Sequence, residues 1–315
     1  MKKYILKRLL STIPILLIVS IVIFFIVHLT PGDPARVMLG EGASEEAVEN
    51  LRESMGLNDP ILLQYFKWVA DIAQGDLGNS YAMNKPVTEV IGEHIIPTLN
   101  LTGMSLIITL LIAIPLGILA AKKRGTIVDN SATVFSLVGI SIPAFLMGLF
   151  LVLLFSVKWK ILPVAGYKTV AEDGFAIHMK YLLLPAIALG FEQAALITRM
   201  TRASVLEVLN CDYIKMAKSK GVKEFTLTVK HALHNALLPI ITVVGQCFII
   251  LLSGATVVET IFNIPGVGAL IVNSIERRDY EVIQGIVLVI TLVNVLVNLL
   301  VDLLYGLADP RIRLQ

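Results

Sequence analysis

The sequence predicts an all-α membrane protein with six transmembrane helices and both termini in the cytoplasm. Three observations carry this expectation. Apolar residues make up 56% of the 315-residue chain and charged residues only 16%, against about 45–50% and about 25% in soluble domains. Six apolar windows, at 9–30, 98–121, 134–157, 181–200, 237–258 and 282–305, each approach or exceed the ~20 helical residues that cross a bilayer. Basic residues gather in alternate loops, the pattern of cytoplasmic segments. Disorder and collagen are excluded, because net charge is only +2 and the 22 Gly and 13 Pro follow no period. Cys211 and Cys247 have no metal-ligand spacing, which rules out a cysteine-rich scaffold.

The first window follows Lys2, Lys3, Lys7 and Arg8, a basic start that resembles a signal peptide. The apolar run is longer than a usual signal core, however, and no small-x-small cleavage site follows it. An uncleaved first span within a segment 1–30 is therefore expected. Loop charges then set the orientation. The 122–133 loop carries Lys122, Lys123 and Arg124 against Asp129, and the 201–234 loop carries six bases against three acids. The opposite side holds 31–97, with four bases and eleven acids. Segment 158–180, with four bases and two acids, runs against the trend. On balance the rule puts both termini inside.

Residues 31–97 are expected to form an extracytoplasmic helical region. LTPGDPARVMLG opens it with a proline turn, and Ser44 is placed to cap a helix at 44–55 with Ala47 three residues on. Leu62, Tyr65, Phe66, Val69 and Ile72 fall at helical spacing, which makes 60–75 amphipathic. Two readings stay open for the region, a cap over the outer mouth and a docking surface for an outer partner.

Prolines and glycines recur in the spans, at Pro14, Pro115, Gly117, Pro143, Pro185 and Gly190. Each proline frees a carbonyl and can kink its helix. Such sites serve either movement or close packing. After the fifth span, Pro265, Gly266 and Gly268 define a tight outer turn before a short helix in ALIVNSI. Two carboxylates lie at membrane depth. Glu192 is mid-way along the fourth window and Glu259 near the outer end of the fifth. Glu192 either lines a pathway or is satisfied by a neighbouring helix, and Glu259 either lines a pathway or reaches the lipid headgroups. Asp302, Asn294 and Asn298 in the last span take the second reading, and His28 is expected at the interface.

The cytoplasmic loop 201–236 carries the most specific local pattern. Thr201 to Leu209 continue a helix out of the membrane. Asp212 is placed to cap a short helix through Tyr213, Lys215, Met216, Ala217 and Lys218, which Gly221 ends as a C-cap. A further helix at 224–236, with His231 and Asn235, leads to Pro239 and re-enters the membrane. The loop is either a basic segment lying on acidic lipid or a rigid helix that fits a socket on a cytoplasmic partner.

Five segments in order resemble one known family. They are HLTPGDPAR at 28–36, GLNDPILLQYFKWVADIAQGDLGNSY at 56–81, the loop 212–245, VVETIFNIPGVGALIVNSIERRDYEVIQG at 257–285 and DLLYGLADPRIR at 302–313. Together they resemble the permease subunits of ATP-binding-cassette (ABC) importers for dipeptides, oligopeptides, glutathione and nickel. Lys215, Met216 and Ala217 stand where the general importer motif has Glu-Ala-Ala, and Ile264 precedes Pro265 where an aromatic is common. The first departure fits the peptide branch.

The resemblance implies a type I ABC importer permease fold. It implies a multi-pass protein of a bacterial or archaeal inner membrane, with a five-helix transporter core at 98–305 and a cytoplasmic tail at 306–315. It implies a second homologous permease subunit, two cytoplasmic ABC ATPases, an extracytoplasmic solute-binding protein and a small peptide substrate, with no nucleic acid. It makes 212–221 the coupling helix. ATP and Mg would be held by the partner subunits and no cofactor by this chain, which has no G-x-x-x-x-G-K-[ST] phosphate loop and no evident catalytic set. The alternatives are a nickel or nickel-chelate importer and an ion-coupled secondary transporter.

Overall fold

A computed structural model describes residues 2–29, 33–40 and 42–308, and the described residues are helical apart from short connections and one small hairpin. The Pro31–Gly32 part of the opening turn, the His28 side chain and the 309–315 tail lie outside the described residues.

The helices are α1 (Lys2–Leu29), α2 (Pro34–Leu39), α3 (Glu45–Ser54), α4 (Ile61–Ala73), α5 (Val87–Lys122), α6 (Ile127–Ser141), α7 (Ala144–Leu151), α8 (Val170–Asp173), α9 (Phe175–Leu209), α10 (Asp212–Ser219), α11 (Glu224–Thr226), α12 (His234–Phe262), α13 (Val267–Glu276) and α14 (Tyr280–Ala308). Two-residue strands β1 (Asn79–Ser80) and β2 (Lys85–Pro86) form an antiparallel hairpin before α5. Among the described residues, four helical stretches are long and apolar enough to cross a membrane: Val87–Lys122, Phe175–Leu209, Glu224–Phe262 and Tyr280–Leu304.

The third window differs from a single straight span. α6 and α7 meet at a bend of 103°. Pro143 has no N–H to donate and disfavours a helical residue before it. Ile142 accordingly takes extended angles, with φ −100° and ψ 114°. A π-helical stretch, Val152–Lys158, then continues α7. Pro97 and Pro115 in α5, Pro185 in α9 and Pro239 in α12 are all accommodated inside unbroken helices.

The chain divides into two compact units. One holds the residues up to Ile96 with Ala269–Leu296. Here Ser44 caps α3 by accepting the Ala47 N–H, as its position predicts. Asp33 caps α2 and also accepts a 2.7 Å hydrogen bond from Arg52. The hairpin is tied to the corner between α13 and α14. The Ser80 hydroxyl donates to Asp279 at 2.6 Å, the Asn79 N–H donates to Glu281, and the Tyr81 hydroxyl donates to the Arg277 carbonyl. α4 packs on α1 through Phe24, Tyr65 and Trp68.

The other unit holds Pro97–Gly268 with the end of α14. α9 is its central helix and packs against α6, α7 and α12. Small residues make that possible. Ala186, Ala188, Gly190, Ala194 and Ala195 are all buried. A methyl added at Gly190 would lie 2.5 Å from Thr109 Oγ1 and 2.8 Å from Ser105 Oγ of α5. One at Gly117 of α5 would lie 2.7 Å from Thr201 Cβ. Close backbone approach of this kind is how membrane helices gain packing without a hydrophobic driving force. Leu182, Leu184, Ile197, Leu251 and Phe262 fill the core between them.

Candidate functional site

The loop leaving α9 is built as a short, well-ended helix. Cys211, with φ −65° and ψ 148°, occupies the cap position of α10, so Asp212 is its first helical residue rather than its cap. Cys211 makes no side-chain cap hydrogen bond. Asp212 instead accepts a 2.8 Å hydrogen bond from Lys215 one turn on, and its charge sits where a helix N-terminus favours an acid.

Gly221 ends the helix as expected. Its φ is +80°, a left-handed conformation that costs a side-chain-bearing residue free energy. The Gly221 N–H donates to the Lys218 carbonyl at 3.0 Å and the Val222 N–H to the Ala217 carbonyl at 3.2 Å. That pair of bonds is the Schellman motif, which satisfies the last carbonyls of the helix.

α10 presents two faces. Ile214 is buried, and α10 packs against α9 and the π-helical stretch Leu227–Leu233. Tyr213 and Met216 are 44% and 58% exposed, while Ala217 is half-buried and Lys215 and Lys218 are exposed. The residue that anchors the helix, Ile214, escaped the sequence reading, although it is the one β-branched apolar residue in the run. The re-entry residues meet the helix. The Asn235 side chain donates to the His231 carbonyl at 2.7 Å and lies near enough to the Tyr213 phenol to influence it. Partial burial, and then the neighbouring Cys211, push that phenol above its ordinary value against the effect of Asn235. Pro239 lies exposed within α12. The re-entry segment expected at 224–236 runs without a break through Glu224–Thr226 and the π-helical stretch into α12.

A partly buried ion pair braces the base of this loop. Asp129, in the 122–133 loop segment at the start of α6, accepts from Arg202 Nη2 at 2.9 Å and also from Arg202 Nε. The Gly125 N–H adds a third bond at 2.9 Å. Arg202 first, and then the Gly125 amide, hold the Asp129 carboxyl down at about 2. The two residues are 73 positions apart, and nothing in the local sequence signals the pairing.

The outer turn is the second candidate region. α12 ends at Asn263 in the left-handed conformation, φ +50°. Ile264 then inserts into the core, and the Gly266 N–H donates to its carbonyl at 2.8 Å. Glu259 is 0% exposed. The Thr98 hydroxyl donates to its Oε1 at 2.6 Å and accepts the Val267 N–H of α13 at 2.8 Å. A methyl on Gly266 would collide with the Glu259 carboxylate, and one on Gly268 would collide with the Thr256 backbone. Pro265, Gly266 and Gly268 therefore let the chain wrap tightly around a buried acid. Glu192 is half-buried and Arg199 exposed.

The fold has a solved counterpart. The protein of a structure titled "Crystal structure of an amino acid ABC transporter with histidines" superposes with a TM-score of 0.51 at 17% identity, over 69% of this chain and 93% of that one. Residues 113–314 match the family described as binding-protein-dependent transport system inner membrane component, and residues 1–102 match its N-terminal membrane component. A probable peptide ABC transporter permease of Sinorhizobium fredii is 41% identical over 98% of this chain and 99% of its own length. The glutathione transport system permease GsiC of Shigella flexneri is 41% identical over 99% of both. The chain belongs to this family. It is a multi-pass inner-membrane permease component of an ABC importer, and such components are not themselves catalytic.

Proposed function

We propose that this permease forms the translocation pathway for small peptides, a dipeptide, an oligopeptide or glutathione, delivered by an extracytoplasmic solute-binding protein. One observation carries the substrate class. Relatives named for peptide and for glutathione transport align along 98–99% of the chain at 41% identity. The pathway is formed with a second homologous permease. Two cytoplasmic ABC ATPases drive it, and they hold ATP and Mg while this chain binds no cofactor.

In this reading six spans cross the membrane with both termini inside: α1, α5, the bent α6–α7 pair, α9, the Glu224–Phe262 stretch and α14. The coupling helix is α10. Its Ile214 side is fixed to the permease, and Tyr213, Met216 and Lys218 are presented to the ATPase. Packing of α10 on the π-helical stretch Leu227–Leu233 makes α10 and the re-entry helix move together. Asp129 and Arg202 pass that movement to α6 and α9. Glu259 keeps the outer turn in shape rather than touching solute.

The test is uptake. Cells lacking their own peptide importers, given this permease with its genomic partners, should take up labelled di- and tripeptides or glutathione in an ATP-dependent way. Uptake of nickel with no peptide uptake would replace the peptide reading with the metal one. Uptake that persists without the ATPases and follows an ion gradient would replace both.

A further inference from the structure

The outward face of α4 is an apolar surface that the transport reading leaves unused. α4 runs Ile61–Ala73, and its polar residues Gln64, Lys67 and Asp71 share one side. Two of these are satisfied within the same region. Gln64 Nε2 donates to the Leu57 and Asp59 carbonyls at 3.0 and 2.8 Å, and Lys67 pairs with Asp59 at 2.6 Å. The helix has no buried residue at all. Leu62 and Phe66, one turn apart, are 62% and 65% exposed.

The depth of α4 follows from its contact with α1. The Tyr65 hydroxyl lies 2.9 Å from Ser20 Oγ, and the Trp68 ring centroid is 5.5 Å from that of Phe24. The basic residues ending at Arg8 place the inner boundary of the first span near residue 9. At 1.5 Å per residue, a hydrocarbon core of about 30 Å ends near residue 29. Ser20 then lies roughly 13 Å below the outer boundary and Phe24 roughly 7 Å below it. A helix at that level is not above the bilayer. On α1 itself Ile21, Val22 and Ile26 are also exposed.

We propose that α4 lies in the outer leaflet, with Leu62 and Phe66 against phospholipid acyl chains. An amphipathic helix in this setting sinks its apolar face about 5–10 Å into the boundary between headgroups and chains. The depth read from Phe24 falls in that range. The occupant is lipid and not water, because two large apolar side chains face outward on a helix whose glutamine and lysine are already paired. It then belongs to the membrane anchoring of the first span rather than to a water-exposed cap.

The test uses the assembled transporter in spheroplasts, with the permease tagged so that its own labelling is read. Leu62→Cys, Phe66→Cys and, on the exposed surface of α3, Glu46→Cys are treated with a membrane-impermeant maleimide. The wild type, which carries Cys211 and a buried Cys247, is the blank. Each variant is first shown to retain uptake. Glu46→Cys should label in intact membranes, and Leu62→Cys and Phe66→Cys only after detergent is added. A photoreactive phenylalanine analogue at position 66, close in shape to the native side chain, should yield a phospholipid adduct on the permease by mass spectrometry. Labelling at 62 or 66 as strong as at 46 would put this face in water and overturn the proposal. A protein adduct, or the absence of any lipid adduct, would overturn it too.

Discussion

Removing the charge of Asp129 should loosen the base of the coupling loop by about 2 kcal/mol. The Asp129 carboxyl is held at about 2, against an ordinary value near 3.9, and each pKa unit is worth about 1.36 kcal/mol, so the native contacts favour the charged form by about 2.5 kcal/mol. The Arg202 side chain keeps 28% of its exposure, and solvent screening reduces the figure to about 2 kcal/mol. That corresponds to roughly 30-fold in a local opening equilibrium. The assay is hydrogen exchange on the purified transporter near neutral pH, read over 122–133 and 199–210. Asp129→Asn should speed exchange there by roughly that factor and leave α14 unchanged. In an Arg202→Gln background the same substitution should cost much less, because the partner is already gone.

The pH dependence has a definite sign. A carboxyl with a lowered native pKa contributes fully above its unfolded value, near 3.9, and loses that contribution as pH falls towards about 2. The gap in Tm between wild type and Asp129→Asn should therefore be constant above about pH 5 and close on acidification. Unchanged exchange in Asp129→Asn, or an equal effect in both backgrounds, would refute the role given to the pair.

Three further substitutions test the remaining structural claims. Gly221→Val places a β-branched residue at φ +80° in otherwise open space, a backbone cost of about 1–2 kcal/mol. Its level in the membrane should be normal while ATP hydrolysis no longer drives uptake, and unchanged uptake would remove the coupling role from α10. Thr98→Val deprives both the Glu259 carboxylate and the Val267 N–H of their shared hydroxyl. The Tm of the detergent-solubilised transporter should fall, for a loss of about 1–3 kcal/mol, whereas Thr98→Ser should be mild. Gly190→Val forces two methyls between α9 and α5 and should destabilise by about 1–3 kcal/mol. Gly254→Ala, whose nearest neighbour would be Leu189 Cδ1 at 3.7 Å, should be tolerated on the same thermal assay.

Much of the local structure was legible because it depends on neighbours in sequence. Ser44 capping Ala47, Gly221 ending α10 and the turn at Pro265–Gly266 are each decided within four residues. The apolar periodicity of α4 and α13 is equally local. The bend at Pro143 was partly legible. A proline inside a span permits a kink, yet Pro115 and Pro185 stay within continuous helices. What separates them is how the surrounding helices pack, which one chain read linearly does not record.

The polar contacts that join distant segments were not legible. Asp129 meets Arg202 across 73 residues, and Thr98 meets Glu259 across 161. Sequence reading left Glu259 open between pathway lining and contact with headgroups, since an acid near the outer end of a span fits both. Its full burial against Thr98 and Gly266 gives it a neighbour-satisfied place. Cys211 took the cap position expected of Asp212, because helix α10 begins one residue earlier than the acidic side chain suggested.

The most direct test of the central claim is native mass spectrometry of the transporter purified in mild detergent through a tag on this chain. The account predicts one copy of this chain with a second, homologous permease and two ABC ATPase chains. It also predicts that a Met216→Cys variant forms a disulfide with a cysteine introduced into the facing ATPase surface. A stable particle that contains no ATPase, reproduced across detergents and after crosslinking in cells, would contradict it.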